Sequence, residues 1–346
     1  MELTPTSVDL SKSVFQLSIA DSQHRVMQRK RLNRTQFHRW LATQKPVRLV
    51  MEACGTAHYW GRVAHSSGHE VTLLHANYVK PYVRRTKTDS ADADALLQAD
   101  RNPELHRIPV KSVDKQALQS LHCLREHAKS SRVASINEAR ALLSEFGVVI
   151  PKGDTGLLPL LREGIERVPP LLQSSLFVLI EEIERLADQQ KTIDRILKNF
   201  AQSDDESQLL INVAGIGVTT ATAMVARVGD IHQFKCGRSF ASWLGITCRE
   251  YSSGSKRRLG RITKKGDNYL RVMIIHGARS ALRAAKHKDK HDKELTRVER
   301  WAVETEQRIG YNKAAVALAN KMARIIWAVW TRQQKYNGND ANRFAA

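Results

Sequence analysis

Short alternations of apolar and polar residues run through the first hundred positions and predict a sheet. Residues 6–20 place Phe15 and Leu17 between polar neighbours, so this stretch predicts a strand, a tight turn and a second strand. The runs 48–55 and 70–75 are short and apolar, as expected of buried strands. A further strand lies between residues 22 and 35, and helices are expected at 35–44 and 57–66. Strands followed by alternating strands and helices predict a mixed α/β sheet.

From residue 111 the apolar positions recur at helical spacing instead. The stripe over 113–146 predicts one long helix, and Pro169-Pro170 opens a second. Charged residues flank both stripes, so the pair forms either a hairpin packed within the chain or a coiled-coil dimerisation arm. Two more amphipathic helices are predicted at 267–285 and 312–333. The fold class is therefore α/β plus α, with domains at 1–110, 111–204 and 205–346.

The charge balance indicates a polyanionic partner. Of the 346 residues 55 are lysine or arginine and 35 are aspartate or glutamate, a net charge of +20. Nucleic acid is the commonest partner of such a chain. No apolar run approaches the length of a membrane span, and the N-terminus lacks a signal-peptide pattern, so a cytoplasmic protein without a membrane partner is expected. The four cysteines form no Cys-x-x-Cys pair, which argues against a zinc site.

Four acids fall where a metal site could form. Asp9 and Glu52 end predicted strands, and ligands of open α/β sheets gather at strand ends. Asp89 and Asp92 are three residues apart, so both lie on one face of the first turn of a helix capped by Thr88 or Asp89 itself. Carboxylates are the ligands that Mg²⁺ takes, and two such ions can hold both oxygens of a phosphoryl displacement. Without a cation, acids in a first turn simply complement the helix dipole.

A second stretch concentrates positive charge. Residues 231–300 contain 18 lysines and arginines against six acids. Contacts of such a segment with phosphates would be salt-dependent and independent of base sequence. Ser253 precedes Gly254 within it, and neighbouring cations could stabilise the charge that develops when a serine hydroxyl attacks phosphorus. The adjacent Ser252 and Ser255 keep the choice of serine open.

The segment Asn212–Ala221 contains Gly215-Ile216-Gly217 before a predicted helix that ends near Val228. This pattern suits either a helix-hairpin-helix DNA-binding turn or a plain corner between two helices. It is not a nucleotide fingerprint, because the flanking βαβ pattern is missing.

Three sequence motifs resemble those of a known family. Val8-Asp9-Leu10-Ser11-Lys12, Met51-Glu52-Ala53 and Lys87-Thr88-Asp89-Ser90-Ala91-Asp92-Ala93 are similar to the Asp-Glu-Asp-Asp (DEDD) signature of insertion-sequence transposases of the 110 type, in the 1111-like branch. The likeness runs over nearly the whole chain. It implies a ribonuclease-H-like domain similar to the RuvC junction resolvase, a coiled-coil connector and a mainly helical C-terminal transposase domain.

The resemblance also implies the chemistry. Asp9, Glu52, Asp89 and Asp92 would bind Mg²⁺ or Mn²⁺, whereas Asp94 has no counterpart role. Ser253-Gly254 aligns best with the family's catalytic serine, although Thr247-Cys248 departs from its pattern. The serine and the acids would act on one scissile phosphate, within one chain or between subunits.

The implied partners are donor and target DNA and a structured non-coding bridge RNA, with the chain as a homodimer or homotetramer associated with the bacterial nucleoid. Residues 25–39 and 84–87 are candidate RNA contacts. The predicted nucleic-acid contacts are Arg84, Arg85, Lys87, Arg249, Lys256, Arg257, Arg258, Arg261, Lys264, Lys265 and Arg271.

Two other functions are compatible with the residues alone. A hydrolytic junction nuclease would use the same acids with water as the nucleophile. A non-enzymatic nucleic-acid-binding protein would use the basic surfaces only.

Overall fold

The computed structural model describes residues 3–83 and 88–338 and divides the chain into two compact units, Met1–Lys115 and Gln116–Ala346. The first unit is mixed α/β and the second is largely helical, which confirms the predicted fold class at this level. The finer division into three domains stays a prediction.

The first unit is built around a six-stranded sheet in the order β3-β2-β1-β4-β5-β6. Strands β1 and β4 are parallel, as are β4 and β5, while β2, β3 and β6 run antiparallel to their neighbours. Its elements are β1 (Pro5–Leu10), β2 (Val14–Ala20), β3 (Val26–Asn33), α1 (Arg34–Thr43), β4 (Arg48–Glu52), α2 (Ala57–Ser66), β5 (Glu70–Leu74), α3 (Ala76–Val79), α4 (Asp89–Asp100) and β6 (Arg107–Ile108).

Alternation along the central strands separates two faces of this sheet. Val8 and Met51 pack with α1 and α2, whereas Val50 packs with the apolar side of α4. Since side chains alternate along a strand, Ser7, Asp9 and Glu52 lie on the α4 face. Two cores therefore sandwich the sheet, and the acids share the face with α4.

Polar contacts hold α4 on that face. The Ser7 hydroxyl donates to the carbonyl of Ala93 (2.6 Å), and Ser18 donates to Asp94 (2.7 Å). Asp94 also accepts from Arg29 across 2.7 Å. Asp94 is thus an anchor of the helix, outside the predicted metal quartet.

The C-terminal end of α4 is fixed by a buried charge. The Asp100 carboxylate is inaccessible to solvent and pairs with Arg48 on β4, and Arg107 on β6 approaches it to 3.2 Å. A buried carboxylate needs such partners, since desolvation without them is costly.

The second unit begins with long helices. Its elements are α5 (Val113–Ser144, which starts in the first unit), α6 (Leu157–Ile165), α7 (Pro170–Ser203), α8 (Asp205–Ile211), α9 (Val218–Val228), α10 (Gly237–Trp243), β7 (Cys248–Glu250), β8 (Leu259–Ile262), α11 (Asn268–Lys290), α12 (Arg297–Ile309) and α13 (Tyr311–Arg332).

Helices α5 and α7 pack within the chain. Ile136 and Leu143 on α5 share a core with Leu176 and Ile180 on α7, and α6 closes that core. Arg125 on α5 binds Asp194 on α7, which joins the helices further along. The packed hairpin is therefore observed, and a role of these helices in dimerisation stays a prediction. Within the described ranges, no helix is both long enough and apolar enough to cross a bilayer.

The Gly-x-Gly turn joins α8 to α9 and has a packing reason. Gly215 has a positive φ of 86°, and a side chain there would collide with the backbone of Gly277 on α11. Glycine is therefore required by the close approach of α11. A DNA-binding role of this turn stays a prediction.

Several elements were not predicted from the sequence. Among them are the helices α6 and α12 and the short β-hairpin β7–β8 that the basic stretch around Ser253 forms. The α12 N-terminus carries a capping box between Thr296 and Glu299, which is a helix-start signal that the sequence does contain.

We predict that Asp100→Asn lowers the free energy of unfolding by about 1–3 kcal/mol, because it removes the buried carboxylate that accepts a hydrogen bond from Arg48 and pairs with Arg107, both of which are partly exposed. Urea denaturation measures the loss. Glu70→Gln, an exposed carboxylate-to-amide change on β5, is the matched control and should stay within about 0.5 kcal/mol of the parent. Equal stabilities of the two variants would contradict the proposed anchor.

Candidate active site

Two of the four predicted acids are placed by the register of the central strands. In the parallel pair β1–β4 the last matched residues are Val8 and Met51, so Asp9 and Glu52 come next on their strands. Both are half-buried, and both lie on the sheet face that α4 covers. The predicted placement of these acids at strand ends is confirmed.

The other two acids lie in the first turn of α4. Thr88 is the N-cap, and its hydroxyl accepts from the N–H of Ala91 at 3.3 Å. Asp89 and Asp92 follow in the first turn, with Asp89 exposed and Asp92 half-buried. The contacts of Ser7 and Ser18 with the next residues of α4 hold this turn against β1 and β2.

The electrostatics show that the four carboxylates are neighbours. The pKa of Asp9 is raised from 3.8 to about 6, first by burial and then by the negative charges of Asp92, Asp89 and Glu52. The same surroundings raise the pKa of the Cys54 thiol through burial and the charges of Glu52 and Asp9. Like charges crowded together in this way favour a bound proton or cation.

The side chains are near enough to repel one another without meeting at one point. Among residues 3–83 and 88–338, no three His, Cys, Asp or Glu side chains converge closely enough to ligate a single ion as they stand. These two observations agree, because charge repulsion acts over longer distances than ligation. Arg84, Arg85 and Lys87, which were predicted to contact nucleic acid beside this site, lie outside the described residues.

The second unit presents the predicted serine at the tip of the β7–β8 hairpin. Ser253 and Lys256 pair across the turn, and Gly254 between them has a positive φ of 56°, a conformation that favours glycine. Ser253 is exposed and makes no side-chain hydrogen bond to any residue that the structure describes. Its hydroxyl is accessible to a substrate.

The neighbouring Ser252 is differently placed. Its hydroxyl donates to Glu250 (2.7 Å) and accepts from the N–H of Arg258 (3.1 Å), so it stabilises the hairpin. This contrast favours Ser253 over Ser252 as a nucleophile. The structure gives no such distinction for Ser255, which is also exposed.

Positive charge surrounds the tip. Seven of the eight cations predicted for this segment are exposed: Arg249, Lys256, Arg257, Arg258, Arg261, Lys264 and Lys265. Two of them also make local contacts, Arg249 with the carbonyl of Thr263 (3.2 Å) and Arg257 with the carboxylate of Glu250 (3.5 Å). They form a cationic surface around Ser253.

Arg271 corrects the prediction for the eighth cation. It is only 8% exposed, and its guanidinium donates to the carbonyls of Leu244 and Gly266 and to Asn268. Arg271 thus ties the end of the hairpin segment to α10 and α11. We remove it from the predicted nucleic-acid contacts.

The sequence did not predict which residues position α4. Ser7 and Ser18 are polar positions of β1 and β2 that are fully buried, and a buried hydroxyl needs a partner. The sequence shows only that these positions are polar, because their burial and their partners depend on the packing of α4.

The first unit places acids of the sheet beside the first turn of a helix, and the second unit carries a cationic hairpin with an exposed serine. This chemistry indicates the class of nucleic-acid-processing proteins. Comparison with known families agrees with this class. Residues 7–148 match the DEDD transposase model of the IS110 type, described as "Transposase", and residues 207–293 match a model described as "Transposase IS116/IS110/IS902 family".

Individual relatives narrow the class of protein further. A probable family 20 transposase of Pseudomonas aeruginosa is 38% identical over 97% of this chain and 99% of its own length. The transposase for insertion sequence element IS1111A of Coxiella burnetii is 37% identical over 95% of this chain and 90% of its own. A pilin gene-inverting protein of Moraxella bovis is 25% identical over 66% of this chain and 65% of its own. The chain belongs to the IS116/IS110/IS902 family of DNA transposases.

The raised pKa of Asp9 gives a testable pH dependence. The folded protein binds the Asp9 proton more tightly than the unfolded chain, so this contribution to stability is present below about pH 4 and is lost as pH rises through about 6. In EDTA, Asp9→Asn should gain stability relative to the parent as pH rises from about 4 to 6, and the difference should level off above about pH 6. Urea denaturation at several pH values measures this difference. A difference that stays constant over this range would contradict the raised pKa of Asp9.

Proposed function

We propose that this transposase cuts and rejoins DNA strands through Ser253, with Asp9, Glu52, Asp89 and Asp92 holding divalent metal ions. The observation that carries the proposal is the placement of Asp9 and Glu52 on the sheet face that the first turn of α4 covers. The raised pKa of Asp9, due first to burial and then to the charges of the other three acids, supports it. Membership of a transposase family indicates that the substrate is DNA, and the exposed hydroxyl of Ser253 can act as the nucleophile.

The topology supports a ribonuclease-H-like, RuvC-like catalytic domain in the first unit. Three antiparallel strands, β3-β2-β1, continue into the parallel strands β4 and β5, with helices on both faces. In this arrangement the acids come from the central strands and from a helix packed on the sheet. A shared topology supports the site by analogy, and the acids themselves carry the chemistry.

The donor set suits Mg²⁺ or Mn²⁺. All four candidate ligands are hard oxygen donors, and their mutual repulsion would be relieved by a cation. When bound, such an ion supplies Lewis-acid stabilisation to a phosphodiester and to the oxygen that leaves it. Asp94 remains with Ser18 and Arg29, so the quartet excludes it.

Ser253 performs the covalent step. Its Oγ attacks phosphorus and forms a phosphoserine ester, while the bond from phosphorus to a deoxyribose oxygen breaks and that oxygen leaves as a hydroxyl. The serine proton passes to a base, and an equivalent proton reaches the leaving oxygen. Attack by a hydroxyl of another strand reverses the step and releases the serine. The ester conserves the bond energy, so rejoining needs no nucleotide triphosphate.

The cationic hairpin suits this step, because exposed arginines and lysines around Ser253 can bind phosphates and stabilise the added negative charge. A relative from Moraxella bovis is named a pilin gene-inverting protein, and this name supports strand exchange over simple cutting as the proposed activity of this chain.

We further propose a structured bridge RNA as partner and a dimer or tetramer as the working assembly. Exposed cations on β3 and α1 support an RNA contact. Arg25 and Arg29 in this region bind Asp21 and Asp94, whereas Lys30, Arg31 and Arg39 have no ion pair among the described residues.

The test is a search for a covalent intermediate. The protein, with its co-purified RNA, is incubated with DNA carrying the element's ends and Mg²⁺, and denaturing gels and peptide mass spectrometry locate nucleotide-modified serine. We expect the adduct on Ser253, and Ser253→Ala should lower both adduct and strand exchange by on the order of 10³-fold or more. Ser255→Ala is the control and should stay within about tenfold of the parent.

Each alternative gives a different result. Cleavage that persists in Ser253→Ala without an adduct would establish water as the nucleophile, as in a hydrolytic nuclease. An adduct on Ser255 would overturn the choice of serine. If the parent stayed fully active in EDTA, and if Asp89→Asn were as active as the control Glu70→Gln, the carboxylates would have no catalytic role.

A further inference from the structure

A shallow, open cleft of about 510 Å³ lies on the first unit between the starts of α1 and α2. Its α1 wall belongs to the basic stretch 25–39 for which an RNA contact is proposed above, and the inference below refines that part of the proposed function. The cleft is lined by Arg34, Thr35, His38, Arg39, Tyr59 and Trp60. Cavities of this size hold small ligands or single residues of a polymer. No acidic side chain lines it.

Two aromatic rings line the cleft, one buried and one exposed. Trp60 is buried and packs edge-on against Phe15, with ring centroids 5.1 Å apart. Tyr59 is 45% exposed and stands edge-on to Trp60, again with centroids 5.1 Å apart. The Tyr59 ring is therefore supported by a rigid neighbour and open to solvent.

Thr35 and basic side chains form the rest of the cleft. The Arg34 guanidinium lies 5.2 Å from the Trp60 ring centroid and donates to the carbonyl of Lys12 (3.4 Å), so the fold holds it in place. Arg39 lies further along α1, is exposed and has no ion pair among the described residues. An immobilised guanidinium beside a second, exposed arginine suits phosphate.

The geometry points to this cleft as a binding site for an unpaired nucleotide of single-stranded RNA or DNA, with its base stacked on Tyr59 and its phosphate between Arg34 and Arg39. A stacking ring combined with cations along a groove is how proteins hold single strands, whereas the buried bases of a duplex cannot reach an aromatic face.

The cleft is separate from the metal-binding proposal. It belongs to the face of the sheet covered by α1 and α2, whereas Asp9 and Glu52 lie on the face covered by α4. A nucleotide bound there positions a strand and is not the one that reacts. The inference therefore does not depend on the chemistry proposed for Ser253.

The test uses the full chain in EDTA, so that binding is measured without cutting. Fluorescence anisotropy with labelled single-stranded RNA, single-stranded DNA and duplex DNA of equal length gives affinities. Tyr59→Ala should weaken binding of at least one single strand by about 5- to 150-fold, and Tyr59→Phe should stay within about twofold. Duplex affinity should not change. The single strand that loses more identifies the source of the nucleotide.

Matched controls separate the cleft from general effects. Tyr78→Ala removes another exposed tyrosine of the same unit and should leave all affinities unchanged. Arg39→Gln should reduce the salt slope for single strands by about 0.7, as for one lost phosphate contact, whereas Lys45→Gln should not. Photo-cross-linking with an iodouracil-containing strand should label the peptide that contains Tyr59.

The inference is overturned if Tyr59→Ala leaves every single-strand affinity unchanged, or weakens duplex binding equally. A thermal melt matching that of the parent protein ensures that Tyr59→Ala is folded. Should it unfold, cross-linking of the parent decides: a label that maps away from residues 34–60 would also overturn the inference.

Discussion

Electrostatic repulsion among four carboxylates is the constraint around which the first unit is organised. The chain holds Asp9, Glu52, Asp89 and Asp92 near one another, and burial followed by the charges of the other three acids raises the pKa of Asp9. Folding must supply the free energy for this crowding from elsewhere. It does so through α4, which is bound to the sheet by Ser7 and Ser18 and by the buried Asp100, and the apolar residues of α4 pack against β4 and β5. A site that is strained in isolation and held by rigid contacts is prepared to bind cations.

In the second unit, too, largely buried polar contacts position exposed functional side chains. Arg271 ties the end of the hairpin segment to α10, and Asp267, which caps α11, binds Arg227 on α9. The tip beyond is left exposed, with Ser253 among cations that bind nothing stronger than a backbone carbonyl or one exposed glutamate. Binding of a polyanion then needs no rearrangement of the core.

Local signals in the sequence were sufficient for most of the first unit. Period-two alternation gave β1 and β2, Thr88 with the acids after it gave the start of α4, and the ends of the strands gave the positions of Asp9 and Glu52. These features depend on neighbours in sequence, so they can be predicted from composition and spacing. The helices α5, α7, α11 and α13 could equally be predicted from their amphipathic stripes.

What could not be predicted depends on distant partners. The burial of Arg271 could not be predicted from its neighbours in sequence, because it follows from contacts with the carbonyls of Leu244 and Gly266. The role of Asp94 depends on Ser18 and Arg29, and β6 is two residues long and exists only because β5 pairs with it. The cleft at Tyr59 is likewise invisible in sequence, since α1 and α2 meet only in the folded unit.

The most direct measurement of the central claim is anomalous X-ray scattering from crystals of the protein grown with Mn²⁺. The account predicts at least one anomalous peak on the α4 face of the sheet, ligated by oxygens of two or more of Asp9, Glu52, Asp89 and Asp92, and no such peak in crystals of Asp92→Asn. A well-ordered first unit in which Mn²⁺ binds elsewhere and leaves these four carboxylates without an ion would contradict it.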